Sequence, residues 1–163
     1  MSAEKVTRKE LLALLDGGHA HMSFDQAVAD FPTAAINTFP PNVPYTPWHL
    51  LEHLRIAQWD ILEFIQNPNH VSPEWPVGYW PDPTETAGPD RWQQTIRSFL
   101  ADLQSLRELV QDPETDLFAS LAHAPGYTIC REILVVSDHN AYHIGEFAIL
   151  RQVMGTWPAE RAS

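Results

Sequence analysis

Two pairs of histidines stand four residues apart, His49 with His53 and His139 with His143. On an α-helix that spacing stacks both imidazoles on one face, one turn apart. Two imidazoles so placed can grip one metal ion, and a third from another helix would make an open set of nitrogen donors. Such a set leaves positions for a substrate, and its ion can act as a Lewis acid or lower the pKa of a nucleophile. Imidazole suits zinc, nickel, iron and copper alike, so the donor type does not choose the ion. A single HxxxH pattern arises by chance, and a histidine bonded to a backbone or carboxylate group explains one pair equally well. Position adds weight. His53 borders an apolar stripe of Leu50, Leu54 and Ala57, and His143 falls within a stripe of Val136, Phe147 and Leu150. A histidine in a core needs polar partners or loses free energy, and a metal supplies one. The candidate metal ligands are therefore His53, His139 and His143.

Ligand histidines commonly donate their second N–H to a carboxylate or carbonyl. Glu146, three residues after His143, shares its helix face, whereas Asp138, adjacent to His139, does not. Glu146 is thus the candidate catalytic group, as an orienting or acid–base carboxylate; the alternative is a solvated surface carboxylate. Tyr142 reads as packing. Cys130, the one cysteine, lies about 13 Å by helical rise from His139, too far to join it on an ion, and reads as a small buried apolar residue. His19 and His21 sit near a glycine pair and would reach the site only if a kink there pointed inward. His70 and His123 are loop residues with no partner pattern.

The elements that must position these groups are helical. Thr7-Arg8-Lys9-Glu10 has the form of a capping box, and residues 7–31 read as a first helix broken near Gly17-Gly18. Thr46-Pro47 gives an N-cap with proline at the first helical position, opening a second helix to about Ile65 that Asn67-Pro68 stops. Asp90 reads as the cap of a third helix, which carries Phe99, Leu103, Leu106 and Val110 and ends before Asp112-Pro113. A linker over 113–127, with a helical turn near Leu117–Leu121, leads to a fourth helix from about Thr128 to Met154 with Gly155 as its stop. Prolines crowd the connections at 32–47 and 66–89, where regular structure is forbidden. The second connection holds Trp75, Tyr79 and Trp80, so it should pack over the helices as a lid or a brace rather than stay disordered. No stretch shows the period-two alternation of a strand. The chain reads as all-α, a four-helix bundle formed as one domain over residues 1–163.

The net charge of −11 argues against binding nucleic acid or an anionic membrane, whose affinities rest on Lys and Arg. A lone cysteine, no apolar leader and no run of about 18 apolar residues make cytoplasm the expected location.

Pro47-Trp48-His49-Leu50-Leu51-Glu52-His53-Leu54, followed by Asp138-His139-Asn140-Ala141-Tyr142-His143-Ile144-Gly145-Glu146 and then Leu150-Arg151, resembles the DinB/YfiT family. There the second helix carries Trp-x4-His and the fourth His-x3-His, then an apolar residue, Gly and Gln or Glu. His53, His139 and His143 fall on those three histidines. The resemblance implies a four-helix bundle, a three-histidine site for a divalent transition metal and a homodimer. Some members are S-transferases using the thiols bacillithiol or mycothiol, and many have no assigned activity. A metal-dependent hydrolase or thiol S-transferase acting on a small molecule is therefore one expectation. A non-catalytic module whose ion staples two helices is the other. His49 is extra to the pattern, as an outer group, a fourth ligand or a solvent-facing residue at the helix start.

Overall fold

The computed structural model describes residues 2–158. Four long helices make the bundle: α1 (Ala3–Asp16), α3 (Pro47–Gln66), α4 (Pro89–Gln111) and α5 (Ile129–Met154), with a short α2 (Phe24–Val28) after the first. Each of α1 and α3 packs against both α4 and α5, so the four close into a ring. Leu50, Leu51 and Leu54 of α3, Phe99 and Leu106 of α4, and Ile133, Val136 and Phe147 of α5 fill its centre. The all-α bundle expected from the sequence is present.

Several local expectations change. Thr7 is not a cap. Helix α1 begins at Ala3 because Ser2 accepts from the Lys5 N–H, and the Thr7 hydroxyl donates back to the Ala3 carbonyl. The first helix ends outright at Asp16, since Gly17 and Gly18 both take positive φ. Chain direction is recovered at Ser23, where a capping box with Gln26 starts α2. Asp90 is not the cap of α4 either. The helix starts at Pro89 after Gly88, and Asp90 lies in the first turn, where its charge meets the helix dipole. The linker holds a two-stranded antiparallel sheet instead of a helical turn, β1 (Ser120–Leu121) with β2 (Ala124–Thr128), Ser120 opposite Thr128. Pro125 and the positive φ of Gly126 disfavour a helix there. The buried Leu117 fastens the hairpin's base, its carbonyl accepting from the Cys130 N–H.

Two buried polar groups lock the bundle's register. Gln58 donates to the Phe99 carbonyl and accepts from Asn140, joining α3, α4 and α5. Arg151, fully buried near the end of α5, donates to the carbonyls of Ala27, Ala29 and Thr156, tying α5 to the end of α2. Gly155 takes the left-handed conformation that closes α5. No helix among the described residues is long and apolar enough to cross a membrane.

Candidate metal centre

Helix α3 is entered through Thr46, whose side chain accepts from the His49 N–H while its own N–H donates to His49 Nδ1. Histidine here takes the place that Glu or Gln holds in the usual capping box. One turn on, His53 points between α3 and α5. Helix α5, packed against α3, presents His139 and His143 to it. The three Nε2 atoms converge: His53 to His143 is 3.1 Å, and His139 to His53 is 3.1 Å. These donor atoms all lie within 4.8 Å of one another.

The protons explain why this matters. A carbonyl or a carboxylate can only accept, so its imidazole partner nitrogen carries hydrogen. His53 Nδ1 donates to the Tyr79 carbonyl at 2.8 Å, and His143 Nδ1 donates to Glu146 Oε2 at 2.7 Å. In the neutral ring both Nε2 atoms are then bare lone pairs, facing each other at 3.1 Å. With both rings neutral, no hydrogen bond can join two lone pairs at that distance, and a cation between them reconciles it. A tetrahedral ion bonded at about 2.0–2.1 Å to imidazole nitrogens holds them about 3.3 Å apart, close to the spacing seen. The donor set fits a divalent transition metal. His139 contributes the third Nε2, and its buried Nδ1 has no hydrogen-bond partner among the described residues.

The electrostatics agree. Burial, then repulsion from His53, lowers the His139 pKa to about 4. Burial, then repulsion from His139 and His53, lowers that of His143 to about 3. Burial also lowers His53, partly offset by its bond to Tyr79. All three imidazoles are therefore neutral at pH 7, the form that binds metal. Glu146 is raised by burial.

Glu146 spans two partners: Oε2 takes the His143 proton, and Oε1 accepts a hydrogen bond from the Tyr45 hydroxyl. It orients His143 rather than standing free in solvent. Tyr45 comes from the loop before α3 and was not singled out in the sequence. Its only cue was its place among the prolines. Trp80 stacks on His53, rings 4.0 Å apart and 4° from parallel, and also touches Tyr45. The proline-rich connection is thus a brace over the site. Its Tyr79 hydroxyl donates to the buried Asp60, and burial followed by that carboxylate raises the tyrosine pKa to about 12.

The remaining histidines stay outside. His49 is buried, and both ring nitrogens are engaged: Nδ1 in the cap and Nε2 donating to the Glu85 carbonyl at 2.8 Å. It is neither a fourth ligand nor solvent-facing. His21 Nδ1 bonds the Met22 carbonyl, His70 bonds Asp60, and His123 bonds the Phe64 carbonyl. Tyr142, expected to pack, is 70% exposed. Cys130 is half-buried against the core edge.

Fold and site together define a helical bundle with three histidine nitrogens converging between two of its helices. The model of the DinB superfamily matches residues 18–147, and the chain belongs to that superfamily. Comparison with curated proteins and with solved structures gave no match.

Proposed function

We propose that this DinB-superfamily protein holds a divalent transition metal on His53, His139 and His143, and uses it to activate a small-molecule reaction, as a hydrolase or a thiol S-transferase. The observation that carries the reading is the pair of bare Nε2 lone pairs 3.1 Å apart, with both opposite nitrogens committed as donors. When bound, a divalent ion here supplies Lewis acidity and makes a thiol or water a better nucleophile at neutral pH. The chain's own residues do the rest. Tyr79 and Glu146 hold the two Nδ1–H groups and so aim the lone pairs inward. The Tyr45 hydroxyl, the Glu146 carboxylate and the His143 N–H form one hydrogen-bonded chain at the site's edge, which can hold or pass a proton. Trp80 and Tyr45 supply an apolar wall that excludes water and suits an organic electrophile.

Openness favours an enzyme over a helix staple. A closed structural zinc site takes four protein donors, whereas three are grouped here among the described residues and His49 is engaged elsewhere. His139 and His143 are half-buried rather than sealed. For a partner, the outer face of α5 exposes Leu134, Val135, Tyr142, Ile149 and Val153, with small Ala141, Gly145 and Ala148 between them. That stripe supports a homodimer, because it bears few of the charges that make two copies of a −11 chain repel.

The test is metal analysis of protein purified without a histidine tag, alongside His139→Ala. Near-stoichiometric metal in the wild type and its loss in the variant are expected. Equal trace metal in both would overturn the reading. A panel of thiols with organic electrophiles, run with and without chelator, then separates transferase from hydrolase.

A further inference from the structure

The brace over the site is clipped to α3 along one helix face. His49, His53 and Asp60 lie four and seven residues apart, spacings that keep them on that face. His49 Nε2 donates to the Glu85 carbonyl at 2.8 Å, and His53 Nδ1 to the Tyr79 carbonyl at 2.8 Å. Asp60, 6% exposed, takes the Tyr79 hydroxyl on Oδ2 at 2.6 Å and His70 Nε2 on Oδ1 at 2.7 Å. Three points on one helix therefore hold the segment between His70 and Glu85, and the middle point is a candidate metal ligand.

Tyr79 carries the coupling. Its hydroxyl is anchored by Asp60, while its carbonyl takes the proton of His53. The next residue, Trp80, stacks on the same imidazole. A short 3-10 turn, Val77–Tyr79, sets the direction of that carbonyl. Gly78 lets the turn close on Pro73, since a Cβ at Gly78 would lie 2.7 Å from Pro73 Cβ. Among the described residues, nothing else accepts the His53 Nδ1 proton. If Tyr79 moves, the imidazole loses both the acceptor that fixes its tautomer and the ring that fixes its plane.

We propose that Asp60 is a positioning residue for the metal centre, acting through the Tyr79 side chain to place the carbonyl that keeps His53 Nε2 bare and aimed at its partners. Asp60 lies about 10 Å along the helix from His53 and touches no ligand itself. By linkage, metal binding and docking of the brace strengthen each other by the same factor.

This inference rests on the proposed metal site, and the measurements keep the two apart. The first readout needs no metal: long-range 1H–15N NMR of the metal-free protein reports the His53 tautomer. Wild type is expected to show the Nδ1–H form alone. Asp60→Ala and Tyr79→Phe are expected to show mixed tautomers at His53, with His143 unchanged. The second readout is the dissociation constant for Co2+ by chelator competition, with its visible spectrum. An outer partner of a metal ligand is worth about 10–100-fold in affinity, so about tenfold weaker binding with an altered spectrum is expected for both variants. Asp60→Asn, which keeps an oxygen for the Tyr79 hydroxyl, is expected to retain most of the affinity. Leu103→Ala, a cavity in α4 away from the brace, controls for general destabilisation and is expected to leave both readouts in place. A pure Nδ1–H tautomer and wild-type Co2+ affinity in Tyr79→Phe would overturn the role of Asp60 while leaving the metal site standing. An equal loss in Leu103→Ala would also overturn it. Wild type that binds no Co2+ would overturn the metal site, and the tautomer readout would still decide the positioning.

Discussion

Replacing Glu146 separates its charge from its shape. Its carboxylate accepts from His143 Nδ1 at 2.7 Å and from the Tyr45 hydroxyl. In Glu146→Gln the amide oxygen can still take the His143 proton, while the amide nitrogen turns to the Tyr45 oxygen. What is lost is charge assistance. A hydrogen bond to a charged group contributes about 1.5–3 kcal/mol and a neutral one about 0.5–1.5. The difference is about 1 kcal/mol, reduced because the Glu146 side chain is 28% exposed and solvent screens it. Metal affinity should fall about two- to fivefold. Glu146→Ala leaves both the tyrosine hydroxyl and the imidazole N–H without their partner, and the expected loss rises to about 10–100-fold. The assay is chelator-competition titration with Zn2+ and Co2+, with circular dichroism to show that the bundle is intact. Wild-type affinity in Glu146→Ala with an intact bundle would refute the orienting role. A larger loss for Gln than for Ala would refute the account of the charge.

Three further outcomes follow from the packing. The depressed histidine pKa values make the metal-free protein acid-sensitive: histidines near 6.5 unfolded and about 4 and about 3 folded contribute stability that is complete above about pH 6.5. That stability is lost progressively as pH falls from about 6.5 to and through the folded values, because between the two only the unfolded chain takes up protons. Urea midpoints from pH 7 to pH 4 should drop less steeply in His143→Gln, and an identical slope would sink the assignment. Arg151→Met should cost about 3 kcal/mol or more by chemical denaturation, since three carbonyls lose their donor; a change under about 1 kcal/mol would show that the clamp between α2 and α5 is dispensable. Val135→Glu with Ile149→Glu should convert a dimer to monomer in sedimentation velocity without changing metal content. A monomeric wild type, or an undisturbed dimer in the variant, would remove α5 as the interface.

How much of this the sequence carried depends on the range of the interaction. The helices α3, α4 and α5 were legible because local signals agree: Thr46-Pro47 opens α3, apolar spacing marks the buried face of α4, and Gly155 ends α5. Thr7 and Asp90 misled because an N-cap is set by where the chain enters the helix, and α1 and α4 start earlier, after Ser2 and Gly88. The hairpin at Ser120–Thr128 was invisible because so short a pair has little pattern and leans on Leu117 for its anchor.

The candidate site divides the same way. The i,i+4 spacing placed His139 and His143 on one helix face, and the i+3 spacing placed Glu146 beside His143; helical geometry alone does that. Spacing could not say which of His49 and His53 would meet them. Thr46 and the Glu85 carbonyl claim His49, and only the packing of α3 against α5 brings His53 within 3.1 Å of both partners. Tyr79 and Trp80 were legible as part of a packed connection, but their contacts with His53, and the parts played by Tyr45 and Asp60, were beyond a sequence reading. Those contacts depend on two connections, one before and one after α3, whose paths are set by hydrogen bonds to α3 and α5, and no local periodicity records them. The residue types and helix faces were written along the chain, whereas the direction of each lone pair was settled by acceptors brought from distant parts of it.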